Sequence, residues 1–142
     1  MKNDGVFRGK KIFLITDDPG VLHNVQDCVL PHEGVLFHAE DPRDALGNAL
    51  AKNPDLIIYD DRMPPFQGSK VMSILKRVRP RWRILLLSLT RIPQRSIDVS
   101  AQGVTFTIQR DSSPHHLYNA VEHCLGIASV PRVKFMLAWK PW

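Results

Sequence analysis

Cysteine is scarce in this sequence, and long apolar segments are missing. Two cysteines in 142 residues are too few for a disulfide-stapled scaffold or a four-cysteine zinc site. No apolar run approaches the roughly 20 residues that a membrane-spanning helix needs. The opening segment MKNDGVFRGKKIFLITDD joins basic residues to a short apolar run that two aspartates end, which is not the pattern of a secretion signal. We therefore expect a soluble, reduced, cytoplasmic protein without membrane contact.

Acidic residues are almost missing from the second half of the chain. Residues 62–142 contain 3 acidic and 13 basic residues, a net charge of +10, whereas residues 1–61 contain 11 acidic and 6 basic residues, a net charge of −5. This segregation predicts one acidic working end and one basic face. The alternative is a set of solvated arginines on exposed helices.

Seven of the basic residues are concentrated within a short stretch of the second half. They could contact nucleic acid phosphates, but no helix-turn-helix pattern follows residue 125 and few aromatic residues lie between them. We therefore expect an acidic protein partner rather than nucleic acid. The seven residues are Lys76, Arg77, Arg79, Arg81, Arg83, Arg91 and Arg95.

Short apolar segments alternate five times with helical patterns. The composition, 44% hydrophobic and 23% charged, is that of a globular domain, and no internal repeat divides it. Asp-Pro at 41–42 and Ser-Pro at 113–114 are typical helix starts, with a cap followed by a first-turn proline. The alternation predicts a parallel sheet with helices on both faces. The predicted strands are Lys11–Thr16, Val35–Ala39, Leu56–Tyr59, Ile84–Leu87 and Val104–Ile108, and the helices begin near residues 19, 42, 71, 93 and 114.

Polar and charged residues follow the predicted strands at their carboxyl ends, where open α/β sheets bind ligands. If strands one and three are neighbours, several carboxylates converge on one cleft, and carboxylates held close together repel each other. A hard divalent cation relieves that repulsion, and Mg²⁺ binds one or two carboxylates together with water and phosphate oxygens. The sequence therefore predicts a site for phosphoryl chemistry. Its residues are Asp17, Asp18, Asp60, Asp61, Ser88, Gln109 and Arg110.

Two motifs resemble the receiver domain of bacterial response regulators, the phosphoacceptor domain of two-component signalling. One is Thr16-Asp17-Asp18-Pro19 after an apolar strand, and the other runs from Asp60-Asp61-Arg62-Met63-Pro64 to Gly68. The resemblance covers residues 9–126 and leaves 127–142 as a basic, aromatic tail. It implies a single doubly wound (βα)5 domain of flavodoxin-like fold, with a parallel five-stranded sheet in the order 2-1-3-4-5.

The resemblance also implies roles for individual residues. Asp60 stands at the phosphoacceptor position, where a carboxylate attacks phosphorus. Asp18, Asp60 and the backbone carbonyl of Arg62 would bind Mg²⁺ directly, and Asp17 would act partly through water. Ser88 would bind the phosphoryl oxygens. Asp61 has no implied role, and we expect it to be exposed.

Three positions depart from the family pattern and put conventional switching in doubt. Arg110 replaces a lysine, and its planar fork is not equivalent to an ammonium. Leu89 replaces a small residue and should crowd the phosphoryl site. Thr107 replaces the aromatic switch residue, with Phe106 one place earlier and therefore on the other face of its strand.

Two functions from different classes remain open. In the first, the protein takes a phosphoryl group from a histidine kinase or phosphotransfer protein onto Asp60 with Mg²⁺, and signals to a downstream partner through its fourth helix, fifth strand and last helix. It would not be an enzyme beyond slow self-phosphorylation from small donors and autodephosphorylation. In the second, it is a degenerate receiver that binds partners without phosphorylation. A flavodoxin-like cofactor binder is excluded because Asp-Asp-Pro is not a phosphate cradle.

The cysteines and the tail each allow two interpretations. Cys28 and Cys124 could form a redox pair, but packed thiols are expected in a reduced compartment. In the tail, Phe135, Leu137 and Trp139 alternate with polar or smaller residues. That stripe could cover an apolar patch of its own domain or dock a second chain, including another copy.

Overall fold

The structure, a computed structural model, describes residues 5–61, 68–88 and 106–127, and within the third helix it describes side chains from residue 73 onward. Its five strands are β1 (Lys11–Ile15), β2 (Val35–Ala39), β3 (Leu56–Asp60), β4 (Ile84–Ser88) and β5 (Phe106–Gln109). Its α-helices are α1 (Pro19–Val29), α2 (Pro42–Lys52), α3 (Gly68–Val78) and α4 (Pro114–Cys124). The predicted helix at 93–102, Leu89 and the tail from residue 128 lie outside the described residues.

Three helices begin with the same local device, a polar cap followed by proline. The side chains of Asp18, Asp41 and Ser113 accept hydrogen bonds from the backbone N–H groups of Gly20, Arg43 and His116. Each cap satisfies an N–H that has no partner inside the helix, and the proline that follows lacks one to satisfy. The predicted helix starts at Pro42 and Pro114 are thereby confirmed.

The sheet is parallel throughout and has the strand order β2-β1-β3-β4-β5. Asp60 pairs in register with Leu87, and Ser88 pairs with Gln109. The carboxyl ends of β1, β3, β4 and β5 therefore lie along one edge of the sheet. This confirms the predicted fold and strand order, and it puts the polar residues that follow these strands next to one another.

Two apolar layers pack on the two faces of the sheet. One face packs against α1 and α4 and includes Cys28 and Cys124, which are buried and free. The other face packs against α2 and α3 and includes Tyr59 and Trp82. The strands β3 and β4 are buried at every position, as central strands covered on both faces should be.

Two details of the structure are not among the predictions from the sequence. A short 3-10 helix, Leu30–His32, follows α1. In addition, the fully buried Phe7 packs in the layer between the sheet and helices α1 and α4, ahead of the expected domain start at residue 9. Its backbone N–H donates to the carbonyl of His32 at 2.9 Å.

None of the helices in the described part of the chain combines the length and apolar character required to cross a membrane.

Candidate functional site

The candidate site is organised around Asp60, the last residue of β3. Its side chain is completely buried, although a buried carboxylate is costly unless charged or hydrogen-bonding partners compensate it. Two residues supply such partners. Thr16 donates its hydroxyl to Asp60 Oδ2 at 2.7 Å, and Arg110 donates to both carboxylate oxygens. Asp60 is thus held in one orientation at the carboxyl edge of the sheet.

Arg110 joins the carboxylates that follow β1 and β3. Its Nε lies 3.0 Å from Asp60 Oδ1, and its Nη2 lies 2.9 Å from Asp60 Oδ2 and 2.8 Å from Asp18 Oδ2. Its backbone N–H donates to the carbonyl of Ser88 at 2.9 Å, which ties the end of β5 to the end of β4. One guanidinium therefore compensates two acidic side chains at once.

The electrostatics follow from this contact. The hydrogen bond from Arg110, followed by that from the backbone of Gly20, holds the pKa of Asp18 below its ordinary value. The hydrogen bond to Asp60 is the largest cause of a raised pKa for Arg110, opposed by desolvation. The side chain of Arg110 is 15% exposed and that of Asp18 is 25% exposed, so solvent screens this pair only partly.

Thr16 belongs to the site, although sequence reasoning used it only as part of a motif. It is completely buried directly after β1. Its hydroxyl oxygen accepts from the backbone N–H of Asp18 at 3.0 Å while the same hydroxyl donates to Asp60. It thereby fixes the turn that carries Asp18 relative to Asp60. The sequence feature that could have indicated this role is a hydroxyl residue at the end of an otherwise apolar strand.

Two further metal ligands were predicted, Asp17 and the carbonyl of Arg62. Asp17 is exposed, and Arg62 lies outside the described residues. Among the residues that can be described, no three His, Cys, Asp or Glu side chains are grouped so that they could hold a metal ion. The structure therefore brings Asp18 and Asp60 together, and a cationic nitrogen of Arg110 lies between them.

Two other residues predicted at the carboxyl ends of the strands are Ser88 and Asp61. Ser88 is buried at the end of β4, beside Gln109 in the register. Asp61 is half-buried rather than exposed, and its backbone N–H continues the sheet pairing to the carbonyl of Leu87 at 3.0 Å.

The two residues at the altered switch position lie as the strand alternation predicts. Thr107 is half-buried, whereas Phe106 is 38% exposed and its ring packs against His123 of α4, with 4.9 Å between ring centroids. The aromatic ring of β5 is therefore on the α4 side of the sheet.

The residues of the site are compatible with a divalent cation. Asp18 Oδ2 and Asp60 Oδ2 already share one cationic group, Arg110 Nη2, and carboxylate oxygens are the donors that Mg²⁺ prefers. A buried, oriented carboxylate next to a second carboxylate and a guanidinium can act as a nucleophile toward an anionic phosphoryl group.

A comparison with protein families agrees with this geometry. The sequence model of the response regulator receiver domain matches residues 12–122. Protein-glutamate methylesterase/protein-glutamine glutaminase 2 of Pseudomonas syringae pv. tomato is 32% identical over 101 residues, which are 68% of this chain and 27% of that protein. The transcriptional regulatory protein GlrR of Escherichia coli K12 is 25% identical over 115 residues, 80% of this chain and 26% of that protein. This chain thus spans about a quarter of the length of these relatives.

Solved structures share the fold. The signal receiver domain of NarL from Mycobacterium tuberculosis superposes with a TM-score of 0.76 at 24% identity, covering 84% of this chain and 98% of that one. The chemotaxis protein CheY4 of Vibrio cholerae superposes with a TM-score of 0.75 at 21% identity, covering 81% of this chain and 98% of that one.

Proposed function

Because this chain belongs to the response regulator receiver domain family of two-component signalling, we propose that it accepts a phosphoryl group on Asp60. The observation that carries this proposal is the burial and orientation of the Asp60 carboxylate. It is completely buried, held by Thr16 and Arg110, and adjacent to Asp18 through a shared guanidinium nitrogen. Compared with apolar side chains of similar volume, such an arrangement adds little stability to a protein, which favours a chemical role for it.

The proposed reaction transfers a phosphoryl group from a histidine kinase or phosphotransfer protein. One oxygen of Asp60 forms a bond to phosphorus while the bond from phosphorus to the donor's imidazole nitrogen breaks, and that nitrogen keeps the bonding electron pair. The product is an aspartyl phosphate on Asp60. Ser88, buried at the end of the neighbouring strand, would donate its hydroxyl to a phosphoryl oxygen.

Mg²⁺ is the cofactor of this proposal. Asp18 and Asp60 would hold it, together with the carbonyl of Arg62 and, through water, Asp17. When bound, the ion compensates negative charge on the phosphoryl oxygens. The chain's own contribution is to hold Asp18 and Asp60 next to each other. The hydroxyl of Thr16 does this by accepting from the backbone N–H of Asp18 and donating to the carboxylate of Asp60.

Arg110 makes a second function worth testing, that of a receiver domain which binds its partners without phosphorylation. Its Nη2 contacts one carboxylate oxygen of Asp18 and one of Asp60, the two side chains that would hold a cation. The acidic pair is therefore compensated without any metal, and a cation has to compete with the guanidinium. If the contact of Arg110 with Asp18 and Asp60 is stable, Asp60 would be phosphorylated only slowly by phosphodonors.

Labelling with a small phosphodonor tests the first function. With acetyl phosphate and Mg²⁺, mass spectrometry should find a single added phosphoryl group on the protein. Asp60→Asn should abolish it, and Asp61→Asn, the matched control at the neighbouring carboxylate, should retain it. Equal labelling of Asp60→Asn, or labelling carried by Asp61, would contradict the assignment.

A beryllofluoride titration separates the two functions. Beryllofluoride and Mg²⁺ together imitate the aspartyl phosphate, so NMR shifts at Asp60, Ser88 and the turn after β1 are expected for a phosphoacceptor. No labelling from any donor, combined with no such shifts, would favour the phosphorylation-independent module.

A further inference from the structure

A basic cleft lies at the end of the sheet opposite Asp60. It encloses about 570 Å³ between the residues that lead into β1, β3 and β4 and the end of α4. Each strand is four or five residues long, so the cleft and the Asp60 site are separated by about 15 Å of sheet. The two sites therefore lie on different surfaces of the domain.

The charge of this cleft is strongly biased. Its lining includes four cationic side chains, those of Lys10, Arg79, Arg81 and Arg83, whereas Asp55 is the single carboxylate among the described lining residues. Asp55 already accepts a hydrogen bond through Oδ2 from the backbone N–H of Lys11 at 2.7 Å. An anion that enters the cleft thus encounters a net excess of positive charge.

Two of the arginines are available to a ligand. Arg83 Nη1 donates to the carbonyl of Cys124 at the end of α4, at 3.0 Å, so that side chain is partly committed. Arg79 and Arg81 are exposed, and within the described segments neither side chain takes part in an ion pair. Their guanidinium groups can therefore bind a carboxylate with two parallel hydrogen bonds.

The backbone that carries these arginines is held in place. Trp82 is 5% exposed and packs in the layer on the α2 and α3 face. Its backbone N–H donates to the carbonyl of Arg79 at 3.0 Å, and its own carbonyl accepts from Lys76 Nζ at 2.6 Å. Arg81 and Arg83 flank this buried anchor, so a ligand does not have to order a mobile loop before it binds.

From these observations we infer that the cleft between Lys10, Arg79 and Arg81 binds an acidic peptide segment of a partner protein. A peptide fits better than nucleic acid because no lining residue that the structure describes offers an exposed aromatic face on which a base could stack: Trp82 is buried. The cations also lie together in one cleft, whereas a nucleic acid backbone would need them spaced along a line of phosphates. This surface is distinct from the Asp60 site and does not depend on phosphorylation.

Fluorescence anisotropy with a labelled hexaglutamate peptide tests the inference on the full chain. The wild-type protein should bind hexaglutamate in preference to hexaglutamine, and raising the salt from about 0.05 M to about 0.5 M should weaken binding because screening is stronger. Arg79→Gln combined with Arg81→Gln should reduce the affinity roughly tenfold, the effect of losing two exposed charge pairs. Backbone amides of residues 79–83 should shift on binding.

The matched control combines Arg43→Gln with Arg77→Gln, which removes the same charge outside the cleft. Its affinity should stay within about twofold of wild type, since neither residue lines the cleft and the cleft feels only a change in the long-range field. Equal loss in both double variants, or no preference for hexaglutamate at low salt, would overturn the inference. Tighter binding of a single-stranded oligonucleotide that the Arg79 and Arg81 changes abolish would also overturn it. The variant that combines Arg79→Gln with Arg81→Gln should still be labelled on Asp60 by acetyl phosphate. A loss of peptide binding with normal labelling would therefore concern the cleft alone and not the proposed phosphorylation.

Discussion

Arg110 donates to both oxygens of Asp60 and, with the same Nη2 atom, to Asp18. Asp60 and Arg110 are 50 positions apart, and Asp18 and Arg110 are 92 positions apart. The contact exists only because the parallel sheet brings the ends of β1, β3 and β5 to one edge. It makes the guanidinium an internal cation of the acidic pair.

The first prediction concerns competition between Arg110 and Mg²⁺. Arg110→Lys keeps the positive charge but cannot contact both oxygens of Asp60 and Asp18 with a planar fork. Since each charge-assisted hydrogen bond contributes about 1.5–3 kcal/mol, we expect Mg²⁺ to bind roughly tenfold more tightly to the variant. An NMR titration with Mg²⁺ measures this without any phosphodonor.

Arg43→Lys is the matched control for that titration. Arg43 makes the same kind of two-nitrogen contact with Asp41, through Nε and Nη2, on the exposed start of α2. Its replacement should leave Mg²⁺ affinity unchanged. If Arg110→Lys binds Mg²⁺ no better than wild type does, the guanidinium does not compete for the site. If neither the wild type nor Arg110→Lys binds Mg²⁺, the proposed metal site is wrong.

The second prediction concerns acid. The pKa of Asp18 is lowered in the folded protein, first by the hydrogen bond from Arg110. The unfolded chain therefore binds more protons than the native protein as the pH falls below about 4, the ordinary range of aspartate. The stability contributed by ionised Asp18 is fully present above that range and is lost as the pH falls through the lowered native pKa.

Arg110→Gln should remove most of this effect. The pKa of Asp18 should rise toward its ordinary value, so its carboxyl carbon should titrate at higher pH in carbon-13 NMR. Urea unfolding should then depend less steeply on pH below about 4. An identical Asp18 titration in wild type and variant would contradict the assigned contact.

The third prediction concerns Thr16. Thr16→Val replaces the buried hydroxyl with a methyl group. This removes one hydrogen bond from an oxygen of Asp60 and one from the backbone N–H of Asp18. Losing hydrogen bonds to buried polar groups should lower the free energy of unfolding by about 1–3 kcal/mol in a urea titration. Thr16→Ser restores the hydroxyl and should recover most of that loss. A Thr16→Val protein as stable as wild type would show that the hydroxyl is dispensable.

The fourth prediction concerns the thiols. Burial raises the pKa of both Cys28 and Cys124 to about 12, so almost no reactive thiolate is present near neutral pH. Both thiols should react slowly with Ellman's reagent in the native protein and rapidly in urea. Fast reaction of either thiol under native conditions would show that it is not packed as described.

The strands and the helix starts could be predicted because their signals are local, whereas the strand order was implied by the resemblance to receiver domains. The apolar runs that became β1, β3 and β4 and the Asp-Pro and Ser-Pro helix starts are readable from a few consecutive residues. The gathering of Asp18, Asp60 and Arg110 followed from the rule that parallel strands end at one edge.

The finer features of the site depend on side-chain conformation and could not be predicted. Whether Arg110 reaches one carboxylate or two is decided by the direction of its side chain across the end of the sheet. The role of Thr16 depends on which way its hydroxyl points at the end of β1. The burial of Phe7 depends on how the segment before β1 crosses the 3-10 helix. None of these leaves a periodic pattern in the sequence.

Phe7 has a practical consequence for anyone who produces this domain in isolation. The family match begins at residue 12, and a clone trimmed to that boundary would lack a completely buried aromatic ring that contacts Tyr118 of α4, 5.4 Å between centroids. Deleting a buried phenylalanine side chain costs about 3–5 kcal/mol, a large share of the total stability of a small domain. Expression boundaries for this protein should therefore follow the packing of its core rather than the limits of an alignment.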